Sequence, residues 1–160
     1  MLIRAISALI LLSLALSSGA DGYDRKDFSY RSYKPNTAIG FYTSKTCDFI
    51  NIDHVVSLKD AYESGAASWS NSKKEAFAND RRNHVPSCGR VNSSKGSAAP
   101  KDFLRRSSDG KGLDYEIVSW CDYVSRYWAV KSAYQLSTAN NKMRLLVLCR
   151  MSPNTSPETD

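Results

Sequence analysis

The sequence predicts an α+β domain, with short strands in its first half and helices towards its end. Two observations carry that expectation. Residues 39–43 and 49–56 concentrate β-branched and aromatic side chains, the mark of short strands. Ile117, Trp120, Cys121, Val124, Tyr127 and Trp128 recur at i, i+3, i+4, i+7, i+10 and i+11, the apolar stripe of an amphipathic helix. The chain has 160 residues, of which 42% are hydrophobic and 24% charged. Those values suit one domain with a modest core and exclude a fully disordered chain, a collagen and a polytopic membrane protein.

In chain order, Met1 to Arg4 gives a short positive start, Ala5 to Leu16 is an uncharged apolar run, and Ser18, Gly19 and Ala20 are small residues. This is the pattern of a signal peptide cut after Ala20. The run is shorter than the roughly 20 residues that span a bilayer, so the expected location is secreted or periplasmic, with no stable membrane association after cleavage. The expected domain covers 21–151. Asp21 to Asn36, polar but carrying Tyr23, Tyr30 and Tyr33, reads as an extended arm on the domain surface. Ser57 to Glu63 reads as one or two helical turns ended by Gly65. Ser72 and Glu75 have the capping-box spacing and open a short helix through Ala78. His84 to Cys88 reads as a strand that Pro86 confines to an edge. Asn92 to Gly96 enters a turn or helix start, and Pro100 begins a helix running to Arg106. Met143 to Cys149 is a second apolar helical stretch after the one above, and the Pro- and Thr-containing tail 152–160 is expected to be disordered.

Four cysteines in an exported chain point to two disulfides. Of the three possible connectivities, Cys47–Cys88 with Cys121–Cys149 is preferred. A zinc site built from Cys47, His54, His84 and Cys88 lacks a C-x-x-C pair and has the wrong intervals.

The formal charge is +6 and the isoelectric point about 9.2, which favours acidic partners such as nucleic acid. Seven basic residues lie between Arg81 and Arg106, with Asp102 the one acidic residue among them. That segment alone accounts for the net charge of the chain, so the remainder balances. A basic stretch of this kind suits contacts to a phosphate backbone, and no base-reading motif accompanies it.

Asp53 and His54 stand together at the end of a strand, beside Asn83-His84 and Asn92-Ser-Ser-Lys-Gly96. An Asp next to a His places a hard oxygen ligand beside a base whose ordinary pKa is about 6.5. Neighbouring strand residues face opposite sides, so the two can divide their work. His84 is expected to point away or to bond locally, and Lys95 to contact a phosphate.

Read in order, the segment resembles the ββα-metal, or His-Me finger, core of HNH endonucleases. Ile52-Asp-His-Val-Val-Ser-Leu-Lys-Asp-Ala61, Ser64-Gly-Ala66, Trp69, Ala76-Phe-Ala-Asn-Asp80 and Val91-Asn-Ser-Ser-Lys-Gly96 are similar to the secreted bacterial HNH nucleases of the GmrSD type. Tyr23-Asp-Arg-Lys-Asp27, Cys121-Asp-Tyr123 and Trp128-Ala-Val-Lys131 resemble the same family's flanks, so the likeness runs from Tyr23 to about Ser137. The family often carries Asp-x-Asp-His, where this chain has Asn51-Ile52-Asp53-His54.

The resemblance implies a fold with a ββα-metal core of short antiparallel strands flanked by C-terminal helices. It implies a metal-dependent endonuclease acting on nucleic acid, DNA before RNA, and leaving 5′-phosphate and 3′-hydroxyl ends; the lack of a base-reading motif points to low sequence specificity, and a monomer is expected. His54 would be the general base and Asn83 would brace the loop that bears it. Asp53 and Asn92 would hold one divalent cation, Mg²⁺ or Mn²⁺, as Lewis acid and leaving-group stabiliser. Arg81, Arg82, Arg90, Lys95, Arg105 and Arg106 would bind the substrate. The alternative is a non-catalytic, disulfide-stabilised nucleic-acid-binding protein.

Overall fold

In the computed structural model, residues 22–103, 115–138 and 149 are described. The expected signal peptide, Arg105, Arg106, the Met143–Cys149 stretch apart from Cys149, and the expected tail all lie outside them. The fold is α+β. Strand β1 (Ile50–His54) pairs antiparallel with β2 (His84–Cys88). Between them stand α1 (Leu58–Glu63) and α2 (Asn71–Ala78); after them come α3 (Gly89–Lys95), α4 (Pro100–Phe103) and α5 (Trp120–Ala133). No helix among the described residues is long and apolar enough to cross a membrane.

Local chemistry explains most boundaries. Ser57 caps α1 by accepting from the Asp60 amide at 3.0 Å. The chain then turns through Gly65 at φ 136°, a conformation that L side chains rarely adopt. Helix α2 is capped by Ser70, whose hydroxyl accepts from the Lys73 amide. The N-cap therefore lies two residues before the expected Ser72, and the helix begins at Asn71, two residues before the expected start. Residues 92–96 end a helix rather than start one, because α3 begins at Gly89, immediately after β2, and stops at Gly96 with φ 52°.

Residues 39–43 are not a strand. They form a tight turn with a single bridge between Ile39 and Thr46, closed by the Gly40 amide to the Lys45 carbonyl at 2.9 Å. The Cys47–Cys88 disulfide fixes that turn to the end of β2. A Cβ on Gly40 would lie 2.8 Å from Cys88 Sγ, so the close approach needs glycine. Cys121–Cys149 is the second disulfide, and the pairing preferred from the sequence is the one formed.

The core is aromatic. Tyr42, Phe103, Trp120, Tyr123 and Tyr127 are buried together, with edge-to-face contacts such as Tyr42–Tyr123 at 5.2 Å between ring centroids. Trp120, Val124 and Tyr127 of the expected stripe are buried on α5 together with Tyr123, Val130 and Lys131, while Cys121 and Trp128 are half-buried and Ile117, also buried, precedes the helix. A second lock joins α5 to α1: Lys131 Nζ, 2% exposed, donates to Asp60 Oδ1 and Ser64 Oγ, both at 2.7 Å, and Tyr127 donates to Asp60 Oδ2 at 2.7 Å.

Candidate functional site

Register decides what the hairpin presents. His54 pairs with His84, Asp53 with Val85 and Ile52 with Pro86. Side chains directly opposite in an antiparallel pair share a face, and successive residues alternate. His54, His84, Ile52 and Pro86 therefore lie on one face of the hairpin, and Asp53 and Asn51 on the other.

On the first face the two imidazoles converge on the last carbonyl of α2. That carbonyl, on Ala78, has no helical donor. His54 Nε2 lies 2.8 Å from it and His84 Nε2 2.9 Å, with 3.2 Å between the two nitrogens. A carbonyl oxygen accepts two hydrogen bonds, so the arrangement is satisfied when both Nε2 atoms carry a proton. The Tyr33 hydroxyl, 3.2 Å from His84 Nδ1, then donates to that nitrogen. His54 Nδ1 is left as the ring nitrogen of the pair whose lone pair is uncommitted. Burial pushes the His54 pKa down to about 3, against the opposing hydrogen bond to Ala78, and the nearby His84, Arg25 and Lys95 add to the lowering. Burial also lowers His84, helped by Arg81. Both rings are neutral at pH 7.

The N-terminal arm does more than lie on the surface. The Tyr30 ring meets His54 edge-on at 4.6 Å and the Tyr33 ring is 5.6 Å from His84. Asn79 ties this arm down, accepting from the Arg31 amide at 2.9 Å and donating to the Ser29 carbonyl at 3.2 Å, and Arg31 pairs with Glu75. The Tyr-rich composition of 21–36 was the visible signal for this cover. Its target was not visible. His84, expected to point away or to bond locally, bonds the nearby Ala78 carbonyl and faces His54, because the register places the two histidines opposite one another.

Asn83 is fully buried. Its side chain accepts from the Val56 amide at 2.8 Å and donates to the Val56 carbonyl at 3.0 Å, and its own carbonyl accepts from the Val55 amide at 2.8 Å. These bonds join the start of β2 to the residues that follow His54.

On the opposite face, Asp53 Oδ2 accepts from the Tyr42 hydroxyl at 2.6 Å. Lys95 Nζ lies 3.3 Å from Oδ1 and 3.0 Å from Oδ2, and donates to the His54 carbonyl at 2.8 Å. Lys95 is fully buried; the expected phosphate contact at the surface is replaced by this internal ion pair, since α3 docks with Lys95 facing β1. Asn92 Nδ2 donates to Asn51 Oδ1 at 2.9 Å.

That donor set does not fit a divalent cation. The Asp53 carboxylate already faces a full positive charge from Lys95, and a second cation there meets repulsion in a site of low dielectric. The described residues also contain no group of three or more His, Cys, Asp or Glu able to hold a metal.

Among the described residues, Arg81, Arg82 and Arg90 line three different clefts. Arg81 is exposed and its guanidinium sits 3.5 Å above the Tyr33 ring, beside His84. Arg82 is turned to Asp80, with Nη2 2.7 Å from Oδ2 and Nε 3.1 Å from Oδ1. Arg90 lines a different cleft, next to the Cys47–Cys88 disulfide.

Comparison with known proteins adds the following. A family model described as the C-terminal domain of GmrSD restriction endonucleases matches residues 10–147. An "Uncharacterized secreted protein" of Arthroderma benhamiae is 38% identical over 93 residues, 57% of this chain. The match spans 41% of that relative, about two fifths of its length. The sequence resemblance pointed to bacterial proteins, whereas this relative is fungal. No solved structure matches the chain.

Proposed function

This chain belongs to the family of GmrSD restriction endonuclease C-terminal domains, and from that membership we propose that it is a secreted nuclease, hydrolysing phosphodiester bonds of nucleic acid, DNA before RNA, with low sequence specificity. β1, β2 and α3 occupy the positions of a ββα (His-Me finger) unit in this reading. The observation that carries it is the anchoring of His54: its Nε2 is spent on the Ala78 carbonyl, which leaves Nδ1 to act as a general base.

In the proposed reaction His54 Nδ1 takes a proton from a water molecule whose oxygen bonds to phosphorus. The bond from phosphorus to the 3′-oxygen breaks, and the departing oxygen is protonated from solvent. Burial keeps His54 neutral at pH 7, so its lone pair is available. Asn83, through its bonds to residues 55 and 56, holds the strand end that carries the base. Arg81 offsets phosphate charge at the edge of the site, with Arg82, Arg90, Arg105 and Arg106 as outlying contacts. Asp53 and Asn92 hold no divalent cation in this reading, because Lys95 occupies that carboxylate.

The test is end mapping. Oxidised, purified protein is incubated with supercoiled plasmid, linear duplex and RNA, and the products are offered to a ligase. Cleavage that leaves ligatable 5′-phosphate and 3′-hydroxyl ends supports the reading. Binding to nucleic acid with no cleavage of any substrate supports the alternative, a binding protein that kept the fold and the charge.

A further inference from the structure

We propose that the cleft between the N-terminal arm and β2, floored by His84, is a subsite for one nucleotide unit of a nucleic acid strand, with the phosphate held by Arg81 and Lys34; the inference rests on the nuclease reading above. The cleft has a volume of about 410 Å³, within the range of small-ligand sites. Tyr33, Lys34, Arg81 and His84 supply polar groups together with Asn36 and Thr37, Ile52 and Pro86 form part of its apolar wall, and no carboxylate lines it.

Charge singles this cleft out. A larger one of about 570 Å³ sets Asp80 and Asp122 against Arg82 and Arg126, and the Arg82 guanidinium is spent on Asp80. The cleft beside the Cys47–Cys88 disulfide sets Asp48 against Arg90. In both, carboxylates stand among the lining cations. In the His84 cleft Lys34 and Arg81 face no lining carboxylate, so the charge is left for an incoming anion.

Arg81 is also pre-positioned. Its guanidinium carbon lies 3.5 Å from the centre of the Tyr33 ring, a cation–π contact, and the hydroxyl of the same tyrosine bonds His84 Nδ1 at 3.2 Å. One aromatic side chain thus fixes the cation and the imidazole relative to each other, which lowers the ordering cost of binding. An anionic group beside an apolar wall of proline and isoleucine describes a nucleotide better than a bare inorganic anion. A phosphate in this cleft lies against His84, whose Nε2 is 3.2 Å from that of His54, so the subsite places the strand one imidazole away from the proposed base.

Isothermal titration with thymidine 3′,5′-bisphosphate and, separately, with inorganic phosphate tests the inference on the full oxidised chain. Arg81 and Lys34 are exposed, so alanine variants keep the fold, and Lys59→Ala, at an exposed residue of α1 that lines none of these clefts, serves as the control. The expected result is tighter binding of the bisphosphate than of phosphate. Arg81→Ala and Lys34→Ala should each weaken it about tenfold, the loss of a charge-assisted hydrogen bond, while Lys59→Ala leaves it unchanged. Equal affinity for phosphate and bisphosphate, indifference to Arg81→Ala and Lys34→Ala, or loss on Lys59→Ala overturns the subsite. If the bisphosphate binds as expected but no nucleic acid is cut, the subsite stands and the nuclease reading falls. If nucleic acid is cut while both cleft variants bind like wild type, the subsite falls and the nuclease reading stands.

Discussion

The ammonium of Lys95 and the carboxylate of Asp53 form a buried ion pair at 3.0 Å, between two side chains that are 0% and 6% exposed. Tyr42 completes the carboxylate's bonds and the His54 carbonyl receives the lysine as well. The pair therefore fastens α3 to the end of β1, directly behind the proposed base.

Removing one partner strands a buried charge, which costs about 3–5 kcal/mol. Lys95→Met should lower the unfolding free energy by that order, and Asp53→Asn likewise. The double variant should recover most of the loss, because neither charge is then left alone. Urea unfolding of the two single variants and the double variant measures the coupling; additive losses would show that the two groups do not act as a pair.

The same pair bears on metal dependence. With Lys95 in place at Asp53, chelation should leave cleavage largely intact, and Mn²⁺ titration of the wild-type protein should show no tight site. Cleavage rates with and without EDTA, on protein first dialysed against chelator, check this. Abolition by EDTA and restoration by Mg²⁺ or Mn²⁺ would mean that Lys95 leaves the carboxylate in the active state.

Acid should destabilise the fold through the histidine pair. The folded pKa of His54, about 3, lies below the ordinary value of 6.5, and His84 is shifted in the same direction. Between those values the unfolded chain binds the proton and the folded chain does not. The stability is therefore complete above about pH 6.5 and falls as the pH drops, by roughly 1 kcal/mol per unit for a single such group. Urea midpoints at pH 7.5, 6.5 and 5.5 read the slope, which should flatten in His54→Gln. A midpoint that does not change over this range contradicts the burial of neutral imidazoles.

Much of the architecture was legible in the residues, because local signals fixed it. Pro86, the β-branched residues of 49–56 and the stripe on α5 declared themselves by composition and period. The turn at 39–43 did not, since Tyr42 is buried against Tyr123 of α5 rather than by a partner strand, while Ile39 stays exposed. At the site, the Asp53-His54 pair and Asn83 stood out by type. The facing of His84 towards His54 follows from cross-strand register, and the capture of Asp53 by Lys95 from how α3 docks. Both join residues some 30 to 42 positions apart, which no local pattern reports. Tyr33 and Lys34 were passed over for the same reason: their partners come from the loop before β2 and from β2 itself.

The central claim, that His54 is the base of a nuclease, is tested most directly by the rate of plasmid cleavage by His54→Ala beside wild type, with circular dichroism confirming that both are folded. The account predicts cleavage by the wild-type protein and a loss of about 100-fold or more in the variant, with nucleotide binding retained. Equal rates in the two folded proteins, or no cleavage by wild type, would contradict it.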